Sequence, residues 1–169
     1  SIAAQGGNDK HVFNLSGSYF EQEGIVKNSG LKKVFFRFNN EYKFTDWLKA
    51  GIRLNYAYTD KTNYNEDLYD GILTSVLRAD PITPAWDYVA NNWGRADLSY
   101  INNPARIVEE QKFDKKFEHK TVAVGFLEAK ITDGLSFRTQ YGIDTKFFHD
   151  KVYLPEFYIA QEEQREVSE

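Results

Sequence analysis

His11, His119 and His149 are the only imidazoles in the 169 residues, and there is no cysteine. The histidines lie far apart, and none falls in an H-E-x-x-H or H-x-E arrangement. None stands beside a serine on a common strand face either, so the spacing supports neither a metal site nor a nucleophile with its base. Lack of cysteine excludes thiol catalysis, a disulfide framework and Cys-rich zinc sites. The expectation is a non-enzyme without cofactor or metal. What remains able to do chemistry is a set of rings with polar neighbours. Trp86, Tyr88, Trp93 and Tyr100 are interleaved with Asp87, Asn91, Asn92 and Asp97. That composition can hold a sugar, with ring faces for C–H contact and amide or carboxylate groups for hydroxyls. The plainer alternative is that the rings pack their segment against neighbouring loops. Trp86, Asp87, Tyr88 and Trp93 are the candidate contacts. A second set, Arg37, Arg53, Asn55, Arg138 and Asp144, stands at alternate positions of extended segments.

These residues must be positioned by strands. Between Lys10 and Gln22 one parity carries His11, Phe13, Leu15, Gly17 and Tyr19, and the other carries Asn14, Ser16 and Ser18. Next, Val34, Phe36, Phe38, Tyr42 and Phe44 oppose Lys33, Arg37, Asn39, Glu41 and Lys43, with Phe35 and Asn40 as exceptions. A third run sets Leu48, Ala50, Ile52, Leu54, Tyr56 and Tyr58 against Lys49, Gly51, Arg53, Asn55 and Thr59. The pattern resumes near Phe117, where Val122, Val124 and Phe126 share one parity but Leu127, Ala129 and Ile131 the other, which implies a bulge or a locally apolar inner face. The last run places Leu135, Phe137, Tyr141, Ile143 and Phe147 against Ser136, Arg138, Gln140, Asp144 and Lys146. With a truncated strand at Ser1 to Ala4, about six strands are expected.

The connections alternate in length. Short turns are expected at Gln5–Asp9, Thr45–Asp46 and Thr132–Gly134, and long connections at the opposite ends. Residues 1–60 therefore read as barrel strands with short periplasmic turns, 61–116 as one long extracellular loop, 117–153 as a barrel hairpin and 154–169 as an external loop or tail. Within the long loop, Leu68, Ile72, Leu73, Val76 and Leu77 are spaced for a short helix ended by Asp80-Pro81. Gly24 and Gly30 bracket a shorter loop, where a positive φ is expected of glycine. Gly17 and Gly51, inside strands, are expected to ease curvature.

Aromatic residues make up 16% of the chain, and net charge is −4 with an isoelectric point near 5.5. There is no basic footprint for nucleic acid. Mean hydropathy is −0.59, and no apolar run approaches the ~20 residues a spanning helix needs. A membrane barrel escapes that test, because its strands interleave polar and apolar residues. The competing fold is a soluble antiparallel sandwich acting as a binding module. Strands of ~10–13 residues suit a tilted barrel wall better than a sandwich. Tyr42, Phe44, Trp47 and Leu48 beside a short turn, with Tyr19, Tyr56 and Tyr58 at the far ends, resemble the two aromatic girdles of such a wall. Mid-strand arginine and lysine suit a water-filled lumen. The fold expected is all-β, an incomplete segment of antiparallel transmembrane barrel strands. Six strands are too few to close, and the acidic end Glu166-Val167-Ser168-Glu169 offers no closing strand. Ser1 opens the chain without an initiator or leader, as in a mature product or a piece of a longer chain.

The stretch from Asn14 to Gly30, NLSGSYFEQEGIVKNSG, resembles an early barrel hairpin of SusC/RagA-type TonB-dependent transporters. The resemblance continues through Arg37-Phe38-Asn39, Thr45-Asp46-Trp47-Leu48-Lys49-Ala50-Gly51 and Leu54-Asn55-Tyr56. It then takes in Leu77-Arg78-Ala79-Asp80-Pro81-Ile82-Thr83-Pro84, Trp86-Asp87-Tyr88, Asn103-Pro104, Gly134-Leu135-Ser136-Phe137-Arg138 and Tyr141-Gly142-Ile143-Asp144. Nearly the whole chain is covered, save the tail. The resemblance implies a plugged barrel of about 22 strands in the outer membrane of Bacteroidetes. Such a barrel imports glycans or oligopeptides under a SusD-like lipoprotein lid and is energised by TonB through a plug region that this sequence lacks. Outer-membrane lipid would face the apolar parity, and Arg37, Arg53, Asn55, Arg138 and Asp144 would face the lumen or the plug. The rings of the long loop would touch substrate or the lid. A further alternative is an incomplete barrel held as a client of the outer-membrane assembly machinery.

Overall fold

A computed structural model describes residues 1–62, 64, 71–95, 102–153, 155–160 and 163–165. Six strands form one antiparallel sheet. They are β1 (Ile2–Gly7), β2 (His11–Glu23), β3 (Gly30–Lys43), β4 (Leu48–Thr62), β7 (Lys115–Thr132) and β8 (Leu135–Lys151). Their spatial order, β1-β2-β3-β4-β7-β8, is a meander in which each strand lies beside its neighbour in sequence, with β1 and β8 at the two edges. Between β4 and β7 come helix α1 (Ile72–Arg78), the two-residue strands β5 (Trp86–Asp87) and β6 (Asn92–Trp93), and helix α2 (Pro104–Gln111). After β8, β9 (Phe157–Ala160) pairs with β10 (Glu163–Arg165).

Local chemistry sets the short turns. Asn8 Oδ1 accepts from the backbone N–H groups of Lys10 and His11, both at 2.9 Å. This side-chain turn lets β1 run to Gly7 and pins Gly7 opposite Val12 and Ile2 opposite Gly17. The reversal thus comes later than the expected Gln5–Asp9. Between β3 and β4, Thr45 Oγ1 accepts from Leu48 N at 3.1 Å, and Lys43 pairs with Asp46 at 2.7 Å. Gly134 carries the β7–β8 turn at φ +90°, a conformation that costs other residues a steric clash.

The chain divides into two compact units. The first is the sheet, residues 1–22, 31–60 and 117–149, and the second gathers 23–30, 61–116 and 150–169. In the sheet unit the strands run for 13 to 18 residues from β2 onward, against ~5–6 in an ordinary globular strand. One parity is apolar yet open: Tyr141 is 76% exposed, Phe147 69%, Phe137 59% and Ile143 50%. A sandwich would cover this face with a second sheet, and among the described residues this unit has only one. The buried hydrophobic residues described in the whole chain are Ile72, Ile107 and Phe126.

Rings collect at both ends of the apolar parity. Tyr42 meets Phe44 edge-on at 4.9 Å near the β3–β4 turn, with His11 beside Tyr42 at 5.8 Å. Towards the other end Tyr58 stacks on Phe117, Tyr56 hydrogen-bonds His119 Nδ1 at 2.8 Å, and His149 stacks on Phe117.

In the second unit α1 packs on α2. α1 occupies the part of the anticipated helix from Ile72 onward, stopping before Asp80-Pro81, while Leu68 lies outside the described residues. The loop carries two helices and a hairpin, where a single short helix was expected. Asn103 starts the second helix by accepting from Ala105 N at 3.0 Å, with Pro104 at the first helical position.

Gly24 and Gly30 do not have positive φ; in that loop Asn28 takes it, at 65°, because a short amide side chain tolerates the left-handed region. Gly24 is required for space instead, since a Cβ there would collide with the Ser29 side chain.

Candidate functional site

The polar parity of the sheet is built by cross-strand contacts. Arg37 Nε donates to Asn55 Oδ1 at 3.0 Å, joining β3 to β4. On β4, Arg53 and Lys49 each lie 3.6 Å from Glu41. Arg138 on β8 reaches Glu128 on β7 at 3.2 Å, and Lys146 reaches Glu118 at 2.9 Å. Asp144 lies exposed on β8 on the same parity as Arg138 and Lys146. Arg37, Arg53, Asn55, Arg138 and Asp144 thus share the polar parity of the sheet.

Phe126 sits at the centre of the face. The Arg138 guanidinium lies 4.3 Å from the ring centroid, Arg53 5.8 Å and the Lys49 ammonium 5.7 Å. Only 6% of the residue is exposed. Gly51, on the neighbouring strand, makes room for the ring: a Cβ there would run into Phe126. The parity change near Phe126 is thus resolved in favour of a locally apolar patch on the polar face, within one uninterrupted strand β7. Gly51 serves the packing of this ring, where curvature had been expected. Cations beside an aromatic face are attracted by its quadrupole, and the long stems cover the ring from water.

In the second unit Trp86 and Trp93 are register partners on the β5–β6 hairpin and meet edge-to-face at 5.1 Å. Asp87 is occupied in shaping the turn, accepting from Val89 N at 2.8 Å and Ala90 N at 3.1 Å. Asn91 takes the positive φ, 51°. Tyr88, at the tip, is exposed. Tyr100 and Asp97 lie outside the described residues. The two tryptophans line a cleft of about 510 Å³ together with Lys27, Val76, Ala85, Pro104, Ala105, Val108 and Glu109. Its walls are apolar and its charges are Lys27 and Glu109, paired at 2.7 Å.

Two residues that sequence reasoning missed hold this cleft together. Asn103, 1% exposed, donates through Nδ2 to the carbonyls of Gly94 at 2.9 Å, Pro84 at 3.1 Å and Ala85 at 3.4 Å, so one amide ties both sides of the hairpin to the start of α2. The dipeptide Asn103-Pro104 was the available signal, an N-cap followed by proline. Glu109 binds Lys112 at 2.7 Å, Lys27 and the Asn28 amide. The hydrogen bonds from Lys112 and then Lys27 hold its carboxyl down at about 2.

The three histidines are engaged on the apolar parity: His11 with the Asn40 amide at 2.8 Å, His119 with Tyr56, and His149 with Phe117. No cluster of His, Asp and Glu capable of holding a metal occurs among the described residues.

No family model matches the chain. It is similar to three proteins of Formosa agariphila. Over 156 residues it is 26% identical to TonB-dependent receptor P3, covering 86% of this chain and 15% of that protein. Over 150 residues it is 25% identical to TonB-dependent receptor P39, covering 85% and 13%. A 62-residue stretch is 42% identical to TonB-dependent receptor P26, covering 37% and 6%. The chain thus spans at most 15% of the length of these curated relatives.

Proposed function

We propose that the chain is a stretch of barrel wall with its external loops, belonging to a TonB-dependent outer-membrane importer of SusC/RagA type. The observation that carries this reading is the open apolar face of the six-stranded sheet. A row of half-exposed Phe, Tyr, Ile and Leu on strands of this length is costly in water and favourable against lipid hydrocarbon. The opposite face is charged, as a water-filled lumen wall is, which supports placing Arg37, Arg53, Asn55, Arg138 and Asp144 towards the channel and its plug. The ring clusters at either end of the apolar parity fit the two membrane interfaces.

The extramembrane unit would take part in cargo capture. Trp86, Tyr88 and Trp93, shaped by Asp87, offer rings to a glycan or oligopeptide, or to a SusD-like lipoprotein closing over the barrel. TonB would act through the plug region of the whole transporter. The similarity to TonB-dependent receptors over most of the chain supports this assignment.

The test is fractionation of the native protein, followed by intact mass and sedimentation with and without detergent. The expected result is outer-membrane material that needs detergent and has a mass well above 19.6 kDa. A species of that mass, monodisperse in plain buffer, would overturn the reading and return the sequence to a soluble binding module.

A further inference from the structure

The charges of the sheet are sorted by sign as well as by face. The chain as a whole has a net charge of −4. Yet within the sheet unit the polar parity of β3, β4, β7 and β8 carries nine lysines and arginines against four carboxylates, Glu41, Glu118, Glu128 and Asp144. Lys43 and Lys130 are balanced by the turn residues Asp46 and Asp133, at 2.7 and 2.6 Å. An excess of cations remains along the middle of the face.

Two of those cations are held in place in a particular way. Arg53 and Arg138, on strands either side of β7, both lie over the ring of Phe126. A guanidinium held beside an aromatic ring still has N–H groups to offer, and paired N–H groups of this kind grip a carboxylate or sulfate. Their present partners compete weakly. Glu41 stands 3.6 Å from Arg53, Glu128 stands 3.2 Å from Arg138, and the two arginine side chains are 52% and 43% exposed. Open pairs of this kind contribute little and exchange readily. Arg37 is bonded to a neutral amide, Asn55, which leaves its charge uncompensated there.

We infer that this face is a binding surface for an anionic oligosaccharide, one bearing carboxylates or sulfates, passing along the wall. The inference rests on the transporter reading and narrows its cargo. A low-dielectric wall bearing one sign of charge focuses its field into the adjoining channel and concentrates the opposite sign there. A permanently packed acidic protein segment is the rival occupant, but such interfaces have an apolar centre. Here the central ring is already closed over by Arg53, Arg138 and Lys49, so that although Phe35, Val122 and Val124 add apolar area to this parity, its centre presents cations, which suits a hydrated, transient ligand.

The experiment uses the whole detergent-purified transporter that contains this stretch. Calorimetric titrations would compare oligogalacturonate, dextran sulfate oligomers and neutral dextran, at roughly 50 mM and then roughly 300 mM salt. Both polyanions should bind, weaken at the higher salt, and lose about tenfold in affinity, or ~1.4 kcal/mol, in the R53Q/R138Q variant. Neutral dextran should not bind. Heat-modifiable gel migration checks that the variant is assembled, and the salt dependence of the unaltered protein stands without it. Failure of both polyanions to bind at low salt overturns the inference, as does binding indifferent to salt and to R53Q/R138Q. Polyglutamate binding more tightly than either glycan would overturn it in favour of an acidic polypeptide. A protein that fails these titrations yet fractionates with the outer membrane refutes the anionic cargo alone and leaves the transporter reading intact.

Discussion

Replacing Ile143 by arginine and, separately, Asp144 by arginine tests which solvent each face of the sheet meets. The two positions are adjacent on β8, so they share strand depth and differ only in face. β8 has 17 residues; at ~3.3 Å per residue and a tilt of ~40° it rises ~43 Å, more than the ~25 Å apolar band of a barrel. Ile143 is central in that span, and on the proposed barrel-wall reading it would lie near the bilayer midplane. It is 50% exposed. In a protein with water on both faces, a surface substitution here would lie within about 0.5 kcal/mol of neutral. Against lipid, arginine at the midplane costs ~2–4 kcal/mol, which is roughly 30- to 1000-fold in the folded-to-unfolded ratio. Asp144→Arg should be nearly silent for assembly, because it exchanges one charged group for another on a hydrated face. The assay is the fraction of transporter migrating in the heat-modifiable folded form after assembly, followed over guanidinium concentration in vesicles. Equal tolerance of the two substitutions would refute the argument, and so would greater sensitivity at Asp144.

Three further outcomes follow from the loop unit. Asn103→Ala removes a helix cap and takes the donor from the buried Gly94 carbonyl, at a combined ~2–4 kcal/mol; limited proteolysis between Trp86 and Pro104 should accelerate, and Asn103→Asp, which retains the cap acceptor but sets a carboxylate oxygen against the carbonyls, should not recover the loss. Glu109 has its carboxyl lowered by Lys112 and Lys27, so its stabilisation is complete above about 4.5 and fades as pH falls towards about 2. The protection factors of α2 amides, which remove the intrinsic pH dependence of exchange, should fall across that window in the unaltered protein, and Glu109→Gln should flatten that fall. Gly24→Ala should destabilise the β2–β3 loop through collision with Ser29; a slower exchange rate at Val26 to Ser29 in that variant would contradict the geometry.

The strands were legible because a period of two repeated over 13 or more residues is hard to produce by chance, and the polar parity from Arg37 to Lys146 emerged with it. The helix at Ile72 was legible from apolar spacing and its Asp80-Pro81 stop. The second helix was not, since its one buried apolar residue is Ile107 and its start is written in a cap, Asn103-Pro104, and not in periodicity. At Phe126 the pattern allowed either a bulge or a locally apolar inner face, because a ring on a charged face looks like a break in register until its cation partners on adjoining strands are known; the second alternative is the one found. Position 28 shows the limit of reading glycine as the universal turn former, because asparagine took the positive φ while Gly24 was needed for space. In the candidate site, residue types were visible but pairings were not. Nothing in the spacing says that Asp87 is spent on its own turn, or that Asn103 binds three carbonyls from both arms of a hairpin.

The contact between Lys115 Nζ and Thr62 Oγ1, 3.2 Å long, sits where the chain leaves β4 and re-enters at β7. The excursion of 52 residues between those strands therefore begins and ends at neighbouring points. Closing a loop of that length costs only ~2 kcal/mol more than closing a four-residue turn, because the entropy grows with the logarithm of length. The long loop is in effect a cassette mounted on an ordinary hairpin. Its helices and tryptophans can be exchanged or resized while the β4–β7 ladder keeps its register, and the one constraint the cleft adds is Lys27 of the β2–β3 loop, which pairs with Glu109.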